Sequence, residues 1–287
     1  EVYRMDQQFF KSNRRKLWEQ IGSVNTVFLC FSGNPKRRSA DENDPFYANR
    51  DFTYLTGLEQ SDLIYMAWEE QGTFRETLFL PDTDPMYERW MGRMLHREQV
   101  EPISGIETVE SRTQFETAFH TLVCGRTAPE IWLDFDPPES APGREPAQIF
   151  AKAIARRYPW CRLRNTHPVL QRMRTIKQPC EIEQLRESIA LTALGIQAMM
   201  EACRPGLYEY QLRAVFEQVL ADHGDHIPAF DSIVAAGPNT LVMHYPEQDR
   251  CIRDGDLILV DVGAQLGFCG ADISRVFPAN GRLTARQ

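Results

Sequence analysis

No apolar run in these 287 residues approaches the length of a membrane span, and there is no internal repeat and no low-complexity tract. A helical membrane protein, a repeat array and a fibrous chain are therefore excluded as readings. The chain also lacks a basic excess. Its 32 Lys and Arg stand against 40 Asp and Glu, a formal charge of -8, with a pI near 5.4. Phosphate backbones and anionic membranes need a positive surface, so neither nucleic acid nor membrane is an expected partner. The seven cysteines (Cys30, Cys124, Cys161, Cys180, Cys203, Cys251, Cys269) are odd in number and never form a C-x-x-C pair. They read as reduced thiols in a cytoplasmic protein, with no disulfide frame or zinc-finger spacing. There is no G-x-G-x-x-G, Walker loop or nucleophile elbow. What remains is an ordinary globular composition, 43% hydrophobic and 25% charged, in a chain long enough for two domains.

The first part reads as mixed α/β. Periodicity predicts a helix near 5–21, strands at 26–31, 63–68, 77–80 and 131–133, and helices at 83–96, 112–123 and 145–157. The Pro/Gly-rich stretch 136–143 reads as a surface loop. Around 165–178, Asn165-Thr166-His167-Pro168 and Lys177-Gln178-Pro179 interrupt the pattern, which places a domain boundary there, with domains at 1–170 and 171–287. Pro179 then opens a helix whose apolar stripe, Ile182, Leu185, Ile189, Ala193, Ile196 and Met200, runs to Arg204-Pro205-Gly206. A second helix at 208–222 carries Leu212, Val215, Phe216 and Val219, and Gly224 caps it. Beyond it come a strand at 232–236, a turn at Gly237-Pro238-Asn239, a strand reaching Arg253, an Asp254-Gly255 turn, and a final hairpin.

That hairpin holds the candidate chemistry. Asp261 lies in Leu257-Ile258-Leu259-Val260-Asp261-Val262-Gly263-Ala264, and Asp272 in Gly270-Ala271-Asp272-Ile273-Ser274-Arg275-Val276-Phe277-Pro278. A two-residue turn at Leu266-Gly267 would set Asp261 directly opposite Asp272, with β-carbons roughly 5 Å apart. Two half-buried like charges so close repel and lose solvation, so a proton or a cation must neutralise them. Hard oxygen ligands at that separation suit a pair of divalent cations.

Arg204-Pro205-Gly206-Leu207-Tyr208-Glu209-Tyr210, Ile233-Val234-Ala235-Ala236-Gly237-Pro238-Asn239 with His244-Tyr245, Asp254-Gly255-Asp256 and the two aspartate motifs resemble, in order, those of aminopeptidase P. Asp51-Phe52-Thr53-Tyr54-Leu55-Thr56-Gly57 is similar to that family's N-terminal domain motif. The resemblance implies an α/β chain. An N-terminal mixed-sheet domain of the creatinase and aminopeptidase P type would precede the first half of a pita-bread α+β catalytic domain. It implies a metallopeptidase that releases the residue preceding proline through a metal-bridged hydroxide. Two manganese ions per subunit, or other divalent ions, would be held in part by Asp261 and Asp272. His244 would face the substrate and donate to the oxyanion or relay a proton. Trp90, which alone reads as a partly buried packing residue on a helix, would by the same resemblance reach the substrate of a neighbouring subunit in a homo-oligomer.

In that family one histidine and two glutamates complete the ligand set, later in the chain. They are expected beyond Gln287 in a longer coding sequence, and residues 1–287 alone are expected to be catalytically silent, since two carboxylates hold two ions poorly. Two other readings stay open: a prolidase restricted to dipeptides, and a non-catalytic pita-bread module that binds peptides. His223 and His226, around Gly224, read as a helix end and its exit, and Asp254-Gly255-Asp256 as turn chemistry.

Overall fold

The computed structural model describes residues 5–135, 145–225 and 227–287; the expected loop at 136–143 and His226 lie outside them. The chain divides into two compact units, 5–176 and 177–287.

The first unit runs α1 (Gln7–Ile21), β1 (Thr26–Phe31), α2 (Arg50–Thr56), β2 (Ile64–Glu70), β3 (Thr73–Leu80), α3 (Pro85–Met91), α4 (Arg97–Ser104), β4 (Val109–Ser111), α5 (Phe115–Cys124), β5 (Glu130–Leu133), α6 (Pro146–Arg157), β6 (Arg162–Asn165) and α7 (His167–Thr175). Its sheet is mixed, in the order β4-β3-β2-β1-β5-β6, with β1, β2 and β3 antiparallel and the outer pairs parallel. Val27, Leu29, Ile64, Met66, Phe79, Ile131 and Leu133 bury one sheet face against Phe115 and Phe119 of α5. Arg14, 3% exposed, donates to the Leu55 carbonyl at 2.8 Å and the Ser104 carbonyl at 2.9 Å. It also pairs with Glu76 at 2.8 Å. One guanidinium thus closes the C-terminal ends of α2 and α4 against β3.

One expected helix divides, and two further stretches prove helical. The single helix over 83–96 is α3 alone, stopped at Gly92 with φ 98°, and a separate α4 follows. The Asp51–Gly57 motif is itself helical: Asn49 Oδ1 accepts from the Asp51 and Phe52 amides at 2.9 and 3.0 Å, and Gly57 closes it in the left-handed region. The interrupted stretch at 165–178 carries α7, because Pro168 sits in the first turn, where a missing N–H costs nothing.

The second unit contains α8 (Pro179–Ala202), α9 (Glu209–Asp222), β7 (Ile233–Ala236), β8 (Leu257–Val262), β9 (Gln265–Leu266), β10 (Cys269–Gly270) and β11 (Ile273–Pro278). β11, β8 and β7 form an antiparallel sheet in that order. Met199, Leu212 and Phe216 of the two helices pack on Val234, Ile258, Val260 and Phe277.

The orientation of α8 differs from the stripe predicted for it. Ile182, Ile189 and Met200 are exposed, whereas Gln184, Ser188, Leu191, Thr192, Gly195, Ile196 and Met199 are buried. Hydrogen bonding decides this. Ser188 Oγ donates to the Cys269 carbonyl at 2.8 Å and accepts from the Leu266 amide at 3.2 Å, and Thr192 Oγ1 accepts from the Ala264 amide at 2.9 Å. The two hydroxyls thus serve backbone groups at the root of the hairpin, which draws this polar face of α8 inward.

The strand expected to reach Arg253 is also absent. A 3₁₀ turn at Gly237–Leu241 is followed by irregular backbone. Its carbonyls at Gln248, Arg250 and Ile252 accept from Tyr210, Glu209 and Gly206 at 2.9, 3.1 and 2.9 Å. The segment is therefore tied to the entrance of α9, with no sheet neighbour beyond a bridge between Tyr208 and Cys251.

Candidate metal centre

The hairpin reverses at Gly267-Phe268, one residue later than predicted, since Gly267 takes φ 61° and Leu266 pairs with Cys269. Asp261 consequently faces Ser274, whose Oγ donates to its Oδ1 at 2.8 Å. Asp272, two positions before Ser274 and one before β11, occupies the diagonal site on the same face. The expected direct opposition is thus replaced by a diagonal one.

The two carboxylates nevertheless meet. The Asp272 carboxyl is raised above the ordinary range, by desolvation first and then by the charge of Asp261 and hydrogen bonding with it. Gly263 makes the approach possible. A β-carbon there would lie 1.9 Å from the Ala271 carbonyl oxygen, so only glycine lets the strand before Asp272 close on the end of β8. The Ala271 amide then donates to the Ala264 carbonyl at 2.9 Å.

His244 stands exposed on the turn after Leu241-Val242-Met243, beside the buried Tyr245. What holds this loop is Glu209, fully buried in the first turn of α9. Its carboxylate accepts from the Ala236 amide at 2.6 Å, Asn239 Nδ2 at 3.1 Å, the Tyr245 hydroxyl at 3.0 Å and the Arg250 amide at 3.0 Å. The phenol of Tyr245 is pushed up to about 12, by burial and then by Glu209. Four donors on one carboxylate fix the loop at both ends, with His244 projecting from it. In the sequence Glu209 stands within the Arg204–Tyr210 motif at the opening of a helix, where an acidic residue by itself suggests a solvated dipole partner. Among the described residues, no hydrogen bond or ion pair joins His244 to Asp261 or Asp272.

Trp90 belongs to the other unit. It is 81% exposed on α3, contrary to the reading as a packing residue, and borders an open cleft of about 750 Å³ with Tyr87, Met91, Asp82 and Asp84. His223 behaves as expected of a helix end, with Nδ1 2.8 Å from the Val219 carbonyl. One cluster escaped the sequence reading altogether. Asp51, Asp134 and His167, from three elements of the first unit, bring their ligand atoms within 4.8 Å of one another.

Comparison with known proteins bears on both units. Residues 10–132 match the family described as aminopeptidase P, N-terminal domain, and residues 183–287 match metallopeptidase family M24. The chain is 30% identical over 290 residues to the Xaa-Pro aminopeptidase of Haemophilus influenzae, covering 99% of this chain and 64% of that protein. For the Escherichia coli Xaa-Pro aminopeptidase the identity is 29% over 291 residues, with the same coverage. A Bacillus anthracis structure described as aminopeptidase P superposes with a TM-score of 0.94 at 34% identity, covering 99% of this chain and 67% of that one. Zinc-substituted Escherichia coli aminopeptidase P in complex with product gives a TM-score of 0.88 at 27% identity, covering 99% and 65%. The chain therefore spans a little under two thirds of the length of these two curated relatives.

Proposed function

This chain belongs to metallopeptidase family M24 and carries an aminopeptidase P N-terminal domain, and on that premise we propose that it serves the metal-dependent removal of an N-terminal residue from peptides with proline in second position. The observation that carries the reading is the diagonal placement of Asp261 and Asp272 on one sheet face, within the segment matched to the metallopeptidase family. Two carboxylates on one face, the charge of one raising the other, are a donor set that fits divalent cations, manganese being the ion proposed. When bound, such ions would polarise the scissile carbonyl and lower the pKa of water toward neutrality.

The protein's own residues supply the rest. Asp261 and Asp272 are the proposed ligands, with Ser274 donating to Asp261 and fixing which oxygen it presents. His244, held through Tyr245, Asn239 and Glu209, is the proposed donor to the oxyanion or relay for a proton. Trp90, exposed with Tyr87 and Met91 beside it, suits packing on a substrate or on a second copy of the chain, and a homo-oligomer acting in the cytoplasm is part of the proposal. A proline at the second position distinguishes the substrate because its tertiary amide has no N–H and its φ is fixed.

The test is hydrolysis of Xaa-Pro-Yaa and Xaa-Pro peptides by the complete gene product, with and without added manganese. Metal-dependent release of the first residue from tripeptides, lost in Asp261→Asn and Asp272→Asn, is expected. Cleavage confined to dipeptides would move the assignment to a prolidase, and activity that survives both substitutions would overturn the metal assignment. His244→Ala should reduce turnover far more than metal content; equal loss of both would remove it from the chemistry.

A further inference from the structure

We propose that Asp51, Asp134 and His167 form a zinc site in the N-terminal unit, with ligands distinct from the Asp261–Asp272 pair. The donor set is two carboxylates and an imidazole, an O,O,N combination that suits zinc. His167 Nδ1 lies 3.3 Å from Asp51 Oδ2 and 3.3 Å from Asp134 Oδ1. That spacing is informative. A charge-assisted N–H···O bond closes to about 2.7–2.9 Å, whereas the edge of a tetrahedron with zinc–ligand bonds of about 2.0–2.1 Å is about 3.3–3.4 Å. Both nitrogen–oxygen distances match such an edge and are wider than ion pairs that have closed on each other, and the three atoms lie within 4.8 Å of one another.

The surroundings are those of a supported ligand set. Both aspartate side chains are 3% exposed and His167 is 22% exposed. On the side away from His167, Asp51 Oδ1 accepts from Arg174 at 2.7 Å and Asp134 Oδ2 accepts from Asn49 Nδ2 at 3.0 Å. Each carboxylate is thereby oriented with its other oxygen toward the imidazole, the role outer hydrogen bonds play in metal sites. Asn49 is itself locked, since its Oδ1 caps α2. Either a divalent ion or an imidazolium proton can sit between the two carboxylates, and the spacing favours the ion.

The experiment titrates chelator-stripped full chain with Zn²⁺ by calorimetry, in the wild type and in the Asp261→Asn/Asp272→Asn double variant. One equivalent retained in the double variant and weakened more than ~100-fold by His167→Gln is expected, beyond the 10–100-fold that loss of an outer partner costs. Co²⁺ in place of Zn²⁺ should give visible absorption of tetrahedral type in the double variant, absent in His167→Gln. If His167→Gln fails to fold, a Zn²⁺-dependent rise in the unfolding midpoint of the double variant supports the site, and no rise overturns it. Zinc uptake abolished by the double substitution, or undiminished in folded His167→Gln, also overturns it. None of these outcomes depends on peptidase activity, so this site and the proposed function can fail separately.

Discussion

Asp261 and Asp272 come from one hairpin and meet on an open sheet face, whereas Asp51, Asp134 and His167 come from three elements and meet in a buried corner of the first unit. The first pair is held by the local ladder and leaves its charge to be satisfied from outside. The second is built into the packing, with Arg174 and Asn49 already committed to it. An open pair exposes ligands to solvent and substrate at little cost to the fold, while a buried one makes the fold depend on its neutralisation. Glu209 is a third arrangement, a buried carboxylate satisfied by four protein donors.

The largest expected effect follows from that third case. Glu209→Ala strands the Ala236 and Arg250 amides and the Tyr245 hydroxyl, at about 1–3 kcal/mol for each buried group left unpaired, so a loss of at least ~3 kcal/mol is expected. All five tryptophans lie before residue 177, so chemical denaturation followed by far-UV circular dichroism reports this change, and tryptophan fluorescence reports the first unit. A loss under ~1 kcal/mol would mean that water replaces Glu209. Next is Asp51→Ala, which removes the buried carboxylate that Arg174 and His167 share and should cost about 3 kcal/mol in the fluorescence transition. Asp261→Ala, on the open face, should stay within about 0.5 kcal/mol. Equal losses at Asp51 and Asp261 would break the contrast between buried and open sites.

The contrast also explains what could be read in the sequence. The hairpin was legible because strand alternation and a glycine-bearing turn act between near neighbours, and an error of one residue in the turn moved Asp261 from Asp272 to Ser274 without separating the carboxylates. The Asp51 cluster was illegible because its members lie far apart along the chain, and nothing in the residues around Asp134 or His167 announces the sheet order β1-β5-β6 that gathers them. α8 failed for a physical reason. Its apolar stripe predicts burial, but the hydroxyls of Ser188 and Thr192 serve buried amides at the hairpin root, so the polar face turns inward. Glu209 failed similarly, since first-turn acidity fits a solvated helix end as well as a four-donor hub.

A smaller effect probes the closeness of the open pair. Gly263→Ala sets a β-carbon against the Ala271 carbonyl, and the backbone shift needed should cost about 1–3 kcal/mol. It should also part the two carboxylates, so the variant should lose the pH response described below along with its metal affinity. A variant that is destabilised but keeps both would show that the carboxylates meet without the help of Gly263.

The smallest effect is the pH dependence of the metal-free chain. Asp272 is raised in the folded state by desolvation and by Asp261, so between the ordinary carboxylate range and the raised value the native state binds more protons than the unfolded state. The contribution to stability is then fully present below the unfolded pKa and lost as pH rises through the folded one. Far-UV circular dichroism melts across that window should show a slight fall in stability with rising pH, flattened in Asp272→Asn and flattened equally by manganese in the wild type. An unchanged slope in Asp272→Asn would mean that the two carboxylates do not interact in solution, and the open site would then resemble two independent surface aspartates with no shared demand for a cation.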